Sequence, residues 1–130
     1  MPTLASAAQP RVPVAQRIDF SYAGDFAGRS GAAVDALKLP PGAMVQHVVV
    51  VTTTAFNSLT SDVMSAGDAG DGTFYLNGAD VHAAGTDRSG TGKDYPTGGV
   101  ITLTWTGVAT VPTQGAGSLF VEYYIHPDFL

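Results

Sequence analysis

The amino-acid sequence predicts an all-β fold, an antiparallel, jelly-roll-like β-sandwich preceded by an extended N-terminal arm. Three observations point there. Valine and threonine each occur fourteen times and glycine sixteen times, a balance suited to strands and turns, because β-branched side chains fit a pleated surface and glycine costs about 1 kcal/mol inside a helix. Several short segments alternate apolar and polar residues with a period of two, the signature of a strand with one buried face. Charged residues make up only 13% of the chain, and all the acidic ones but Glu122 are aspartates, so the charge pairs that support exposed helices are nearly missing.

Residues 1–15, MPTLASAAQPRVPVA, carry Pro2, Pro10 and Pro13 among small side chains. They exclude a continuous helix and predict an extended arm, ahead of a single domain over 16–130. RIDFSY, residues 17–22, sets Ile18, Phe20 and Tyr22 against Arg17, Asp19 and Ser21 and reads as a half-buried strand, broken by the glycines that follow. Residues 32–39 fit strand or helix equally by periodicity, and Pro40, Pro41 and Gly42 close them with a turn. Residues 43–54 read as one long strand with Val45, His47, Val49 and Val51 on one face and Met44, Gln46, Val48 and Val50 on the other. Valines on both faces predict cover from both sides.

Residues 61–85 predict two or three short strands separated by Gly-Asp turns, with Asn77-Gly78 as a hairpin-type dipeptide. Residues 86–99 read as a long polar loop. VITLTWT then alternates Ile101, Leu103 and Trp105 with threonines, and the closing SLFVEYYIH places Leu119, Val121, Tyr123 and Ile125 opposite Phe120, Glu122, Tyr124 and His126.

A chain of 130 residues supports one core that buries roughly two thirds of the unfolded surface. With no cysteine, neither a disulfide framework nor a thiolate zinc site is available. The net charge of -5, with six basic residues scattered from Arg11 to Lys93, argues against nucleic-acid binding, which needs clustered cations. No apolar run is long enough to span a bilayer, and no charged-then-apolar start reads as a signal peptide; no membrane partner is expected.

Reactive chemistry is sparsely marked. GTGKD, residues 90–94, suggests a phosphate loop, but Asp87 and Asp94 stand where that pattern needs a glycine and a hydroxyl. His47, His82 and His126 are the available imidazoles; Asp80 and His82, two apart, could share a strand face, without a third ligand or a serine elbow to complete a site. Asp68 and Asp71 could offer oxygens to calcium, although turn formation explains the same GDAGDG residues. No carboxylate pair is marked for glycoside cleavage. No cofactor or metal is expected, and an enzyme is disfavoured.

The run LPPGAMVQHVVVVTTTAFNS, then SDVMSAGDAGDGTFYLNGADVHAAG, then GGVITLTWTGVATVPTQGAGSLFVEYYI, resembles small virion structural proteins of tailed bacteriophages, of the head decoration, cement or head-fibre type. The resemblance covers about residues 37–126. It implies a capsid decoration protein that binds the major capsid protein, self-associates as a homo-trimer or dimer, and sits on the virion surface after assembly in the host cytoplasm. A cement protein of this kind needs exposed apolar or aromatic contacts. Candidates are Leu4, Arg11, Val12 and Val14 in the arm, Tyr123 and Tyr124 in the last strand, and the terminal Phe129 and Leu130. The alternative is a tail- or fibre-associated protein that binds a receptor or glycan by stacking it on Trp105, Tyr95 and the 86–99 loop.

Overall fold

The structure is a computed structural model that describes residues 13–125. Nine strands follow in order: β1 (Val14–Ser21), β2 (Ala33–Leu39), β3 (Ala43–Thr54), β4 (Ser61–Asp68), β5 (Leu76–Asp80), β6 (Gly85–Arg88), β7 (Lys93–Tyr95), β8 (Gly99–Val108) and β9 (Ala116–Ile125), with one π-helical turn over Tyr22–Phe26. One sheet has the order β1-β9-β3-β6, with β7 also pairing with β3, and the other has the order β2-β8-β4-β5. All pairings are antiparallel. Counting β6 and β7 as one interrupted strand, this is the eight-stranded jelly roll, two interleaved Greek keys that pack a core between their sheets.

The ambiguous segment at 32–39 is a strand, because Val34, Leu37 and Leu39 pair with Leu103, Ile101 and Gly99 of β8 and turn toward the core. The first strand begins at Val14, inside the expected arm, and ends at Ser21. Tyr22 opens the π-helical turn, fixed by Gly24 N donating to Ser21 Oγ at 3.0 Å and Ser21 N donating to the Asp25 carboxylate at 2.9 Å.

The long strand β3 spans the predicted residues, but its faces are not those that strict alternation gives. A bulge at Gln46 shifts the register between Val45 and His47, so an extra residue turns the strand over. Ala43 and Val45, then Val48, Val50 and Thr52, are buried. Val49 and Val51 lie on the outer face beside Phe120 and Ser118 and are half-buried, so the described residues do not supply the expected cover on both faces.

The predicted loop at 86–99 contains β6 and β7, which pair with β3 on either side of that bulge. At the break, Ser89 is buried and bridges to Val48 by two hydrogen bonds, Val48 N to Ser89 Oγ and Ser89 N to Val48 O, both 2.9 Å. Gly92 follows because a Cβ there would stand 2.4 Å from the Val45 carbonyl oxygen, and this close approach accounts for a glycine of the GTGKD segment. Asn77-Gly78 is likewise no hairpin turn: it lies inside β5, where the register shifts against β4, and Gly78 has φ 73 and donates its N–H to Ser65 Oγ. A glycine that tolerates positive φ is what such a bulge requires.

Candidate functional site

Four loops meet at one end of the sandwich: 27–32, 55–60, 81–84 and 109–115. Beneath them lies an aromatic floor of Phe20, Tyr22, Phe26, Phe56 and Trp105. Tyr22 meets Trp105 edge-on at 5.1 Å between ring centroids, and Phe56 stacks on Trp105 at 6.1 Å. Aromatic contacts of this kind add about 0.5–1.5 kcal/mol each beyond their buried area. Beside Phe56, Gly115 leaves the room its ring needs; a Cβ there would approach the ring to 2.6 Å.

Asp62, fully buried, is the polar centre of this end. Its carboxylate accepts four hydrogen bonds: from Ser58 N at 2.9 Å, Ser58 Oγ at 2.6 Å, Trp105 Nε1 at 2.9 Å and His82 Nδ1 at 2.7 Å. Burial pushes this carboxyl up, and the bonds from Ser58, His82 and Trp105 outweigh it and hold the group below the ordinary aspartate value. One side chain thus ties the 55–60 loop, the 81–84 loop and β8 together.

The remaining loop contacts are as specific. Asn57 donates to Thr113 Oγ1 and accepts from the Thr113 and Gln114 amides, while Thr60 N donates to the Val108 carbonyl. Gly107 N donates to Ser30 Oγ, and Gly31 N to the Trp105 carbonyl. Ala109 adopts φ 86, a left-handed conformation held by the surrounding loop.

On this preorganised frame stand Leu59, Val108 and Val111, which are 73%, 47% and 75% exposed. They are all of the large exposed hydrophobic side chains among the described residues, so the apolar surface is concentrated at this one end. Next to Val111, a cleft of about 410 Å³ opens over Tyr22 and Trp105, with Gly28 and Ser30 on its lip.

The arrangement at Asp62 is not that of a hydrolytic triad. In such a relay the imidazole stands between carboxylate and hydroxyl. Here the carboxylate stands between Ser58 Oγ and His82 Nδ1, so the histidine is not placed to take the serine proton. Asp80, the partner considered for His82, accepts a hydrogen bond from its backbone N–H at 2.8 Å instead.

The chain is similar in fold to chains from three phage capsids. A chain in the capsid asymmetric unit of cyanophage Pam1 matches with a TM-score of 0.68 at 19% identity, over 91% of this chain and 95% of that one. For the acid-stable capsid of Helicobacter pylori bacteriophage KHP30 the values are 0.68, 16%, and 88% of each chain. For the capsid of Ralstonia phage GP4 they are 0.63 and 14%, over 91% of this chain and 87% of that one. No family model and no curated protein matches the chain.

Of the residues expected to form contacts, Leu4, Arg11, Val12, Phe129 and Leu130 lie outside the described residues, as does His126. Val14 pairs with Tyr123 at the start of β1 and is half-buried. Tyr123 is 5% exposed and belongs to the core, because β9 turns it between the sheets with Val121 and Leu119. Tyr124 is half-buried on the outer face, opposite Met44. The glycan-stacking pair is corrected: Trp105 is 3% and Tyr95 6% exposed, both held inside by hydrogen bonds to buried aspartates, so neither ring stands out as an exposed stacking platform.

His47 sits on the outer sheet face, with Arg88 Nη2 at 3.1 Å from Nε2 and Glu122 at 3.7 Å. Asp68, considered for calcium, has its oxygens engaged by the Gly70 and Asp71 amides, Lys93 Nζ at 2.6 Å and Tyr95 OH at 2.9 Å. Among the described residues no three ligating side chains converge as a metal site.

Sequence reasoning passed over Leu59, Val108, Val111 and Asp62. The first three left a usable signal: each is a lone large apolar residue inside a polar or turn-forming stretch, NSLTS or GVATVPT, where no periodicity assigns it to a core.

Proposed function

We propose that the chain is a capsid decoration or cement protein of a phage, a structural and non-catalytic component that binds the major capsid lattice through the loop end carrying Leu59, Val108 and Val111. The observation that carries this reading is the likeness in fold to chains of three phage capsids, of which the matched region makes up between 87% and 95%. Those chains are little more than this one domain, which suits an added lattice component. The exposed apolar end supplies the contact. Burying a leucine or valine side chain is worth about 1.5–3 kcal/mol, and the rigid floor beneath the loops limits the ordering cost of binding.

A small patch suffices in such a role. Self-association into a homo-trimer would present three equivalent ends at once, and simultaneous weak contacts give an avidity far above that of one. The protein would then reside on the virion surface, added during assembly in the host cytoplasm.

The test is the copy number of this chain relative to the major capsid protein in purified virions, by quantitative mass spectrometry with labelled peptides. A ratio near one, or a simple fraction of one, is expected. A handful of copies per particle would overturn the lattice role in favour of a tail- or fibre-associated protein.

A further inference from the structure

β1 and β2 are consecutive along the chain but are edge strands of opposite sheets; among the described residues β1 is bonded only to β9 and β2 only to β8. Each therefore keeps a row of backbone N–H and C=O groups free on its other side, the template on which an extended segment can add. Between them lies a slot of about 210 Å³, with Ile18, Phe26 and Val34 in its lining and Asp19, Asp25 and Asp35 at its margin. Ile18 and Val34 pack on the core yet stay partly open to water.

The aspartates are not consumed by local contacts. Asp19 uses one oxygen for both Ser118 Oγ and Arg17 Nε, Asp25 uses one for Ser21 N, and Asp35 is exposed. With Arg17 as the cation beside Asp19, the slot keeps an excess of negative charge over an apolar lining. It calls for an extended, apolar segment that carries positive charge and no carboxylates.

This chain contains a segment of suitable composition. Residues 1–12, MPTLASAAQPRV, hold Arg11, Leu4 and Val12, and the first acidic residue of the chain is Asp19. Twelve extended residues reach about 40 Å, enough to cross to a neighbouring molecule. The segment is poorly placed to enter its own slot. β1 starts at Val14, four residues before Ile18, and Val14 pairs with Tyr123 at the end of the sandwich opposite the exposed loops.

We propose that the aspartate-rimmed slot between β1 and β2 receives residues 1–12 of a second copy of this chain. The arm then joins copies to one another, and the loop end is left free for a different partner. The inference does not depend on the capsid reading, since it concerns the purified protein alone.

The chain has no native cysteine, which makes the test direct. Full-length Val12→Cys protein and isotopically labelled full-length Ala36→Cys protein are mixed and treated with a short bis-maleimide. The expected product is a covalent dimer of one labelled and one unlabelled chain, at least fivefold above that formed between Val12→Cys and Val111→Cys, the collisional control. Adding Arg11→Glu to the donor should reduce it several-fold, and adding Asp35→Lys to the receiver should restore it. Mixed dimer at the control level would overturn the proposal. So would linkage within one chain in the Val12→Cys/Ala36→Cys double variant at high dilution, which would assign the slot to the chain's own arm.

Discussion

Strand β4 carries a buried aspartate at each end, and the two ends of the sandwich are built around them differently. At one end Asp62 receives its donors from Ser58, Trp105 and His82, groups on three loops and strands. At the other Asp68 receives two amides of its own turn, the Tyr95 hydroxyl and the ammonium of Lys93. Tyr95 in turn meets the Tyr75 hydroxyl at 2.6 Å, and the Lys93 ammonium lies 5.0 Å over the Phe74 ring. The Asp68 network closes a chain reversal and pins β7 across the sandwich, and its cation covers the outside. The Asp62 network fixes loops from beneath and leaves Leu59, Val108 and Val111 in water. The same device, a buried carboxylate with all its donors supplied, serves closure at one end and the presentation of an apolar surface at the other.

The sharpest way to break this comparison is to remove the two carboxylates separately. Asp62→Ala leaves the Trp105 indole and the Ser58 amide without their acceptor in a dry site, and should destabilise the fold by about 3–5 kcal/mol, read from urea unfolding. Asp68→Asn, which keeps an acceptor oxygen and whose partner Lys93 is partly exposed, should cost about 1–3 kcal/mol. Equal losses would show that the two networks are interchangeable supports.

The pH dependence sharpens the same contrast. Burial raises both carboxyls, and hydrogen bonds, with the Lys93 charge at Asp68, more than reverse this, so both sit below the ordinary aspartate value in the folded chain. A depressed folded value contributes stability that is complete above the unfolded value of about 3.9 and is lost as pH falls through the folded one. Stability should therefore hold near neutrality and fall below about pH 4, with a shallower fall in Asp68→Asn. At the alkaline side, burial pushes Tyr75 up to about 12, and burial with the bonds to Tyr75 and Asp68 also raises Tyr95, so both hydroxyls stay protonated through about pH 10, where an ordinary tyrosine titrates.

The smallest expected effect tests whether the loop end carries strain. Ala109 holds φ 86 without the freedom of glycine, so Ala109→Gly should raise stability by about 0.5–1 kcal/mol. A loss of similar size would mean that the loop is not strained there.

Much of this fold is legible in the sequence because alternation is a local signal. Ile101, Leu103 and Trp105 in β8, and Leu119, Val121 and Tyr123 in β9, face the core as their spacing predicts. The misread places are those where one residue breaks the period. Gln46 turns β3 over, Gly78 sits in a bulge, and the break at 89–92 disguises two short strands as a loop. A bulge is set by what the partner strand does, and that partner is distant in sequence.

The candidate site was less legible for the same reason. Asp62 looks like any turn aspartate until Trp105, 43 residues on, and His82, 20 residues on, are brought to it. Leu59 and Val111 become a surface only when the 55–60 and 109–115 loops are set side by side by Asn57.

The most direct test of the central claim is a pelleting titration of the double variant Leu59→Ser/Val111→Ser on capsids depleted of this chain. Both side chains are exposed, so stability should stay within about 0.5 kcal/mol of the parent. Binding should fall at least tenfold, with the parent saturating at a simple ratio to the major capsid protein. A variant that folds normally and saturates the capsid at the parent's concentration would contradict the assignment of the apolar end as the binding surface.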